Sequence, residues 1–252
     1  MGTMIFNGIS TVDMGVVIQS PPVYEFPAPD YEVTHVEGKS GDIIIDKGSY
    51  QNVKRTYYLA SVFRPNTSFI SNATSIVSWL RSAKGYARLE DSYEPEYYRL
   101  AMFRNPGEMV NYQDKATVLQ VSFDCKPQRY LKTGDDPILI TSKDVYIKVV
   151  NPTMFLALPE ITIEGVDLTL SFYSGEDYNN PGEQSSAQIS FSGEGIIDSE
   201  LQDCYKEGSY LNTNGQVVLV GGFPKLYPGS NWIKVSGTTL TKVSIKPRWW
   251  TL

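Results

Sequence analysis

The side chains that could perform chemistry are few and widely spaced in this sequence. His35 is the only histidine, and Cys125 and Cys204 are the only cysteines. A nucleophile-base arrangement would depend on His35, which lies between Glu32 and Glu37 in an acidic segment where a solvated role is far more common. Neither cysteine has a second cysteine or a histidine at ligand spacing, which removes a zinc site. We therefore predict no catalytic triad, no metal and two half-buried thiols.

Two groups of carboxylates are the remaining candidates for catalysis. They are Asp91, Glu94 and Glu96 in one group, and Asp198, Glu200 and Asp203 in the other. A pair of carboxylates can hydrolyse a glycosidic bond. Both groups lie in turn-like sequence, however, where solvated carboxylates are far more common than catalytic ones. No Gly-rich loop ends in Lys-Ser or Lys-Thr, so no phosphate cradle is expected. We predict that the protein is not an enzyme and uses no cofactor.

The composition indicates an all-β chain with many turns. Aromatic residues make up 12% of the 252 residues, led by 17 tyrosines, and there are 20 glycines and 15 prolines. The formal net charge of -6 argues against a basic surface that would bind nucleic acid. No apolar run is long enough to span a membrane, and no secretory signal is visible at the N-terminus.

The N-terminal half is predicted to contain strands, one helix and an exposed extended pair. Residues 54–63 form a strand candidate, and a helix is expected from Ser71 or Asn72 to Gly85. Extended segments within residues 24–50 are joined by a Gly-rich tip and suggest an arm or hairpin. Because an unpaired extended edge invites pairing with a neighbouring chain, this segment is predicted to make subunit contacts. The candidate contact residues are Tyr24, Phe26, Ile43, Ile45 and Tyr50.

The C-terminal half is predicted to be a sandwich of short strands. Residues 126–137 mix proline, charge and glycine, which favours an irregular domain boundary. Beyond them, turn signals separate closely spaced apolar runs, a pattern typical of a jelly roll. The predicted strands are residues 145–149, 161–163, 168–172, 187–191, 195–198, 202–205, 216–220, 232–235 and 239–245. Residues 176–186 are expected to form an exposed loop.

The most specific pattern lies near the C-terminus. It reads Phe-Pro-x-Leu-x-Pro-Gly-x-Asn-x-Ile, followed after a short gap by a β-run that ends in Pro-Arg-Trp-Trp. From composition alone, this stretch indicates closing strands whose large aromatics fill a sandwich core. The motif residues are Phe223, Pro224, Leu226, Pro228, Gly229, Asn231, Ile233, Pro247, Arg248, Trp249 and Trp250.

This motif resembles the C-terminal end of the distal tail (Dit) proteins of long-tailed siphophages. The family's upstream Ile-Asp element has its counterpart at Ile197 and Asp198. A Trp-Leu, Arg-Leu, acidic turn and Tyr-Tyr series resembles the Dit N-terminal domain. The resemblance covers most of the chain. It implies a mainly β protein: residues 1–130 as a ring-forming β-sandwich or split-barrel-like domain with one helix, and residues 131–252 as a galectin-like jelly-roll β-sandwich.

The same resemblance implies a structural role at the siphophage tail tip, in the baseplate hub of the virion. Dit subunits form a closed ring, usually of six, although nothing in the spacing here shows six. The implied partners are copies of itself, the tail tube protein, the tape-measure protein and a tail-tip or fibre protein. Double-stranded DNA would pass through during ejection without specific binding, no membrane would be involved, and assembly would occur in the host cytoplasm.

A carbohydrate-binding module that contacts the host cell wall is the alternative. Jelly rolls bind sugars through stacked aromatics and polar side chains. The galectin-type site uses a histidine, however, and none follows His35. Fold alone would not establish sugar binding in any case.

Overall fold

The computed structural model describes residues 2–62, 69–104, 109–112, 116–177, 186–206, 208 and 212–252. The described chain is mainly β with one α-helix, which confirms the predicted fold class. It divides into two compact units, Met1–Arg129 with Leu252 and Tyr130–Thr251. The described part of the chain contains no helix that is both long and apolar enough to cross a bilayer. The functions assigned to the two halves remain predictions.

The first unit is built on an antiparallel sheet in the order β2-β1-β7-β8-β10-β6-β3, with β9 also paired to β10. Phe123 lies at the centre of its core, with ring centroids 4.8 Å from Phe6, 5.8 Å from Phe103 and 6.0 Å from Tyr57. Strands β4 and β5 form a separate pair. The strands are β1 (Met4–Phe6), β2 (Ile9–Ser10), β3 (Val16–Ile18), β4 (Pro29–Thr34), β5 (Ile43–Tyr50), β6 (Val53–Val62), β7 (Ala87–Asp91), β8 (Tyr97–Phe103), β9 (Met109–Tyr112) and β10 (Ala116–Leu131).

The predicted helix is present as α1 (Phe69–Leu80), but both ends lie earlier in the chain than expected. Its buried face consists of Ile76, Trp79 and Leu80, while Val77 is exposed. The Trp79 indole N–H donates a hydrogen bond to the Phe6 carbonyl at 3.1 Å. This bond satisfies the polar edge of a buried ring and fixes the side of the helix that faces the sheet.

The second unit has its own antiparallel sheet. Its order is β11-β18-β13-β14-β15, while β17 pairs with both β12 and β13, and β16 pairs with β14. Short 3-10 turns cover Lys132–Gly134 and Asn214–Gln216. The strands are β11 (Ile138–Ile140), β12 (Tyr146–Asn151), β13 (Glu160–Ser174), β14 (Ser186–Asp198), β15 (Asp203–Tyr205), β16 (Val217–Val220), β17 (Gly229–Ser236), β18 (Thr239–Lys246) and β19 (Trp250–Thr251).

Two pairs of predicted strands are single long strands. Residues 161–163 and 168–172 belong to β13, and residues 187–191 and 195–198 belong to β14. The interruption in β13 is a bulge between Gly165 and Leu168, not a turn. A side chain at Gly165 would overlap the Thr239 carbonyl, so the residue marks a close approach between backbones. The extra residue of the bulge keeps apolar side chains directed inward on both sides of it. Ile163 before the bulge and Leu168 after it are both fully buried.

The predicted irregular boundary is wrong in its local structure. Strand β10 continues through Pro127 to Leu131 and is followed by a 3-10 turn. Pro127 is buried, as Phe123 and Cys125 are, so the two-residue period of the strand continues across the proline. The division between the two compact units falls inside this strand.

Both cysteines are fully buried rather than half-buried, and both are free thiols. Burial is the largest cause of their raised pKa values, about 12 for Cys125 and about 11 for Cys204. A thiolate is the reactive form of cysteine, so these thiols are inert in the folded protein.

We predict that the native protein does not react with a disulfide reagent near neutral pH. After denaturation, both cysteines of each chain should react, because unfolding exposes them and restores an ordinary pKa. Absorbance of the released thiolate measures both states. Rapid labelling of either cysteine in the native state would contradict this burial.

Candidate functional site

Strands β4 and β5 form an isolated two-stranded ribbon within the segment predicted to make subunit contacts. The register pairs Thr34 with Ile43, Val33 with Ile44, and Glu32 with Ile45. His35 and Asp42 lie at its outer end, with Nδ1 3.0 Å from Oδ1. This contact is exposed and places the only histidine at the ribbon end.

Both faces of the ribbon expose apolar side chains. Val33 and Ile44 are 58% and 64% exposed on one face, and Ile43 and Ile45 are 39% and 51% exposed on the other. A two-stranded ribbon by itself is marginally stable in water. Exposed apolar patches of this kind mark interaction sites. The ribbon is therefore the strongest candidate in the first unit for contact with another protein.

The base of the ribbon is held inside the first unit. The Tyr24 hydroxyl donates to the Leu252 carbonyl at 3.2 Å, and the Arg129 guanidinium lies 4.8 Å from the centre of the Tyr24 ring. Of the predicted contact residues, Phe26, Ile43 and Ile45 are exposed. Tyr24, although partly exposed, makes these contacts within its own chain. The half-exposed Tyr50 lies opposite Pro29 in the ribbon register.

A buried ion network lies beneath this base. Arg55 and Asp91 have side chains that are only 5% and 4% exposed, with Nη2 of Arg55 3.1 Å from Oδ2 of Asp91. The Tyr57 hydroxyl donates to the same carboxylate oxygen at 2.7 Å. Burial, followed by the Asp91 charge, raises the pKa of Tyr57 well above its usual value. Arg55 also donates to the Val23 carbonyl at 3.3 Å and thereby holds the chain that leads into the ribbon.

The prediction that the Asp91 turn is solvated is wrong for Asp91 itself. Its Oδ1 accepts the backbone N–H groups of Tyr93 and Glu94, while Oδ2 faces Arg55. Glu94 also pairs with Arg129 at 3.3 Å, whereas Glu96 is exposed. The available sequence signal for this buried pair was Arg55, because the two-residue alternation of β6 directs that position inward. A buried guanidinium requires a buried counter-charge.

The motif arginine forms a second network, in the second unit. Arg248 donates to both carboxylate oxygens of Asp198 at 2.8 Å and to Glu160 at 2.6 Å. Its backbone adopts φ +57°, a conformation that costs energy in a residue other than glycine. Burial opposes ionisation of Asp198. The hydrogen bonds from Arg248 and the backbone outweigh it, however, and the net pKa of Asp198 lies below its usual value.

This network contradicts the prediction of a solvated carboxylate for Asp198 itself, whereas Glu200 is exposed. Asp198 is buried, and its Oδ1 also accepts the backbone N–H groups of Glu200 and Leu201. The structure brings the Ile-Asp element and the Pro-Arg-Trp-Trp element together, although they lie 50 residues apart in sequence. The upstream Ile-Asp element and the C-terminal end of the motif therefore form one structural feature.

The remaining motif residues also stabilise the fold. The Asn231 amide closes the turn at Pro228 and Gly229: it donates to the carbonyls of Tyr227 and Gly229 at 2.8 and 3.0 Å, and accepts the Tyr227 N–H at 2.9 Å. Gly229 has φ +81°, which suits glycine. Pro228 is exposed at this turn, Phe223 packs against the core, and the buried members are Pro224, Leu226, Ile233, Pro247 and Trp249.

The last motif tryptophan is fixed at the edge of the second unit. The Trp250 ring stacks on Phe155 with a centroid separation of 4.4 Å, and its N–H donates to the Leu156 carbonyl at 2.9 Å. Every motif side chain with a described hydrogen bond uses it within the chain. These motif side chains therefore stabilise the fold of the second unit.

In each carboxylate group, the first aspartate is engaged by contacts within the fold. Asp91 and Asp198 are each held by a buried or partly buried arginine, which occupies their carboxylate oxygens. Among the described residues, no group of three histidine, cysteine, aspartate or glutamate side chains could hold a metal ion. Asp91 and Asp198 therefore act as structural anchors.

We predict that Arg248→Met destabilises the protein by roughly 3–5 kcal/mol, because it leaves Asp198 and Glu160 without their main counter-charge. Lys246→Met is the matched control, since its 3.3 Å pair with Glu160 is half-exposed and worth about 1 kcal/mol or less. Denaturant unfolding at neutral pH measures both. Equal losses in the two variants would contradict the role assigned to Arg248.

Denaturant unfolding repeated at acid pH tests the ion pair directly. Because the folded pKa of Asp198 is depressed, its contribution is present above the unfolded value near 3.9 and is lost as pH falls through the folded pKa. Arg248→Met should reduce that acid-induced loss.

Comparison with known proteins supports the fold. No protein-family model and no curated protein matches the chain. Among solved structures, SPP1 Dit, described as a paradigm of the hub adsorption apparatus in phages that infect Gram-positive bacteria, aligns over 100% of both chains with a TM-score of 0.69 and 12% identity. A chain of the phage p2 baseplate, in its activated conformation with Sr, aligns over 97% of this chain and 96% of its own, with a TM-score of 0.52 and 11% identity. The likeness extends over the whole chain.

Proposed function

We propose that this protein is a distal tail subunit of a siphophage, a structural part of the baseplate hub. The observation that carries the proposal is the full-length likeness to SPP1 Dit. In this role the chain forms a closed ring, of six subunits as is usual in the family. The ring joins the tail tube to tail-tip or receptor-binding proteins and leaves a channel for DNA. Its partners include the tape-measure protein, and the assembled virion carries it at the tail tip.

The division of labour follows the two compact units. Residues 1–130 form the ring, and residues 131–252 contact neighbouring tail-tip proteins. The first assignment is supported by the apolar ribbon, which belongs to the first unit and exposes both faces. A ribbon edge can add to a neighbour's backbone, and a repeated head-to-tail contact closes a ring when its rotation fits.

The ribbon is suited to this contact because its base is fixed. Arg55 and Leu252 hold the Val23 and Tyr24 positions, so the apolar strands beyond them start from a defined point. The segment is also acidic, which predicts a receiving surface that is apolar with basic groups at its rim. Its charged residues are Glu25, Asp30, Glu32, Glu37, Asp42 and Asp46 against Lys39 and Lys47.

The role requires no catalytic step. The two carboxylates that best resembled catalytic groups, Asp91 and Asp198, are engaged by Arg55 and Arg248. Each interaction stabilises one of the two compact units of the subunit.

We expect the purified protein to form one closed particle whose mass is a whole multiple of 28.2 kDa, six for a hexamer. Replacing Ile43 and Ile45 by serine should shift it to soluble monomers, because both apolar contacts of one ribbon face are lost. Native mass spectrometry with light scattering measures this shift.

The matched control is the pair Val218→Ser and Val220→Ser, which removes two exposed apolar side chains from the second unit. It should leave the particle intact. A wild-type protein that stays monomeric at all concentrations would favour the free carbohydrate-binding module. A ring that persists in the ribbon variant would place the subunit contact elsewhere.

We also expect the assembled ring to show no measurable affinity for duplex DNA at physiological salt. A basic lining would hold the phosphates by counterion release, whereas passage needs a weakly interacting wall. The chain carries a net charge of -6, and arginines such as Arg55, Arg129 and Arg248 are paired with carboxylates. A gel-shift series at rising salt decides the point. A tight complex that weakens steeply with salt would indicate a ring that grips DNA.

A further inference from the structure

One solvent-facing sheet surface in the second unit has a composition that the hub role does not explain. Strands β12, β17, β13, β14 and β16 lie side by side in that order. Their inward side chains, such as Ile233, Phe172 and Ile189, form the core. The alternate side chains face outward. With strand spacing of about 4.8 Å, these five strands offer a surface roughly 19 Å across.

Three aromatic side chains form a row at one end of this surface. Trp232 pairs with Lys148 on one neighbouring strand and with Tyr173 on the other. Tyr146 lies opposite Lys234, with its ring centroid 5.9 Å from that of Tyr173. All three rings are partly exposed, and the Trp232 N–H donates to the Gly175 carbonyl at 3.0 Å. That bond holds the indole in one orientation.

Amines accompany the rings. The Lys148 ammonium lies 5.4 Å from the centre of the Trp232 ring, and the Lys234 ammonium lies 5.3 Å from the centre of the Tyr146 ring. Lys148 also lies 3.8 Å from Glu176, whose side chain is 87% exposed. Both ammonium groups lie over these partly exposed rings, where a ligand carrying negative charge could reach them. At Lys148, the ligand would replace the weak surface pair with Glu176 by a desolvated ion pair.

A groove of about 340 Å³ continues the same surface at its other end. Thr169 and Ser190 lie within it, with their hydroxyl oxygens 3.4 Å apart, and Ser192 and Gln216 add a hydroxyl and an amide. Thr169 and Tyr173 share one face of β13, because they are separated by two full periods of the strand. The surface thus runs from aromatic rings to hydrogen-bonding groups without a change of face.

We propose that this surface binds an extended anionic polysaccharide. A sugar ring has a face of C–H groups that packs on an aromatic ring, while its hydroxyls require donors and acceptors of the kind that line the groove. The two ammonium groups would pair with carboxylate or phosphate substituents. The open, elongated surface fits a chain of sugars, and the net charge of -6 makes general attraction of polyanions unfavourable. Binding would therefore depend on these local contacts, independently of ring formation.

The test uses the full-length protein and two matched probes, in calorimetric titration at physiological salt. One probe is an octasaccharide of alternating uronate and N-acetylhexosamine, and the other is the same octasaccharide with its carboxylates reduced to alcohols. The wild-type protein should bind the uronate form more tightly by about tenfold. Trp232→Ala and Tyr173→Ala should each weaken binding of both probes by about tenfold, because each removes one stacking ring.

Lys148→Met with Lys234→Met should abolish the preference for the uronate probe, since it removes both ammonium groups. Tyr58→Ala removes a half-exposed tyrosine of the first unit and should change nothing. Tyr146→Ala replaces Trp232→Ala if the latter melts early. Absence of saturable binding, equal binding of the two probes, or affinities unaffected by the aromatic variants would each overturn the proposal. The particle mass, measured separately, keeps this outcome distinct from failure of the hub role.

Discussion

The pairing of Arg248 with Asp198 is the interaction on which the second unit depends. It joins the chain end that follows β18 to the end of β14 and, through Glu160, to the start of β13. The Arg248 backbone N–H also donates to the Gly134 carbonyl, so the turn that begins this unit is held at the same point. Lysine could not replace it, because a single ammonium cannot meet both oxygens of one carboxylate and a second carboxylate in a planar fork. The unfavourable φ of Arg248 persists because these contacts over-determine its position.

Strands β13 and β14, whose ends this network holds, each pair with two different neighbouring strands. Before the bulge, β13 pairs with β18, and after it with β17. β14 likewise pairs with β15 at one end and with β16 at the other. The bulge at Gly165 shifts the alternation by one residue and keeps apolar side chains inward along the whole strand. The outward side chains of the later half thereby form one continuous surface, which carries the aromatic row and the groove.

The first unit also contains an arginine paired with a buried carboxylate, but there the network fixes the start of the ribbon. Arg55, Asp91 and Tyr57 form a buried cluster that would be costly if any partner were missing. Its contact with Val23 fixes the root of a ribbon whose apolar side chains remain exposed. A fixed base with an exposed apolar extension suits contact with another protein. The sequence pattern indicated this extension, because extended apolar segments bounded by prolines and joined by a Gly-rich tip are a local signal.

The sequence by itself determined the β class, the helix, most strands of the second half and the motif, because each depends on periodicity or turn chemistry over a few residues. The tertiary structure decided what those local patterns could not. Arg55 meets Asp91 across 36 residues, and Arg248 meets Asp198 across 50. Carboxylates in turn-like sequence indicate solvent until their partners are known, so both were expected to be solvated. The continuity of β13 through its bulge and of β10 through Pro127 was likewise decided by neighbouring strands, whose hydrogen bonds and packing override the local signal for a turn.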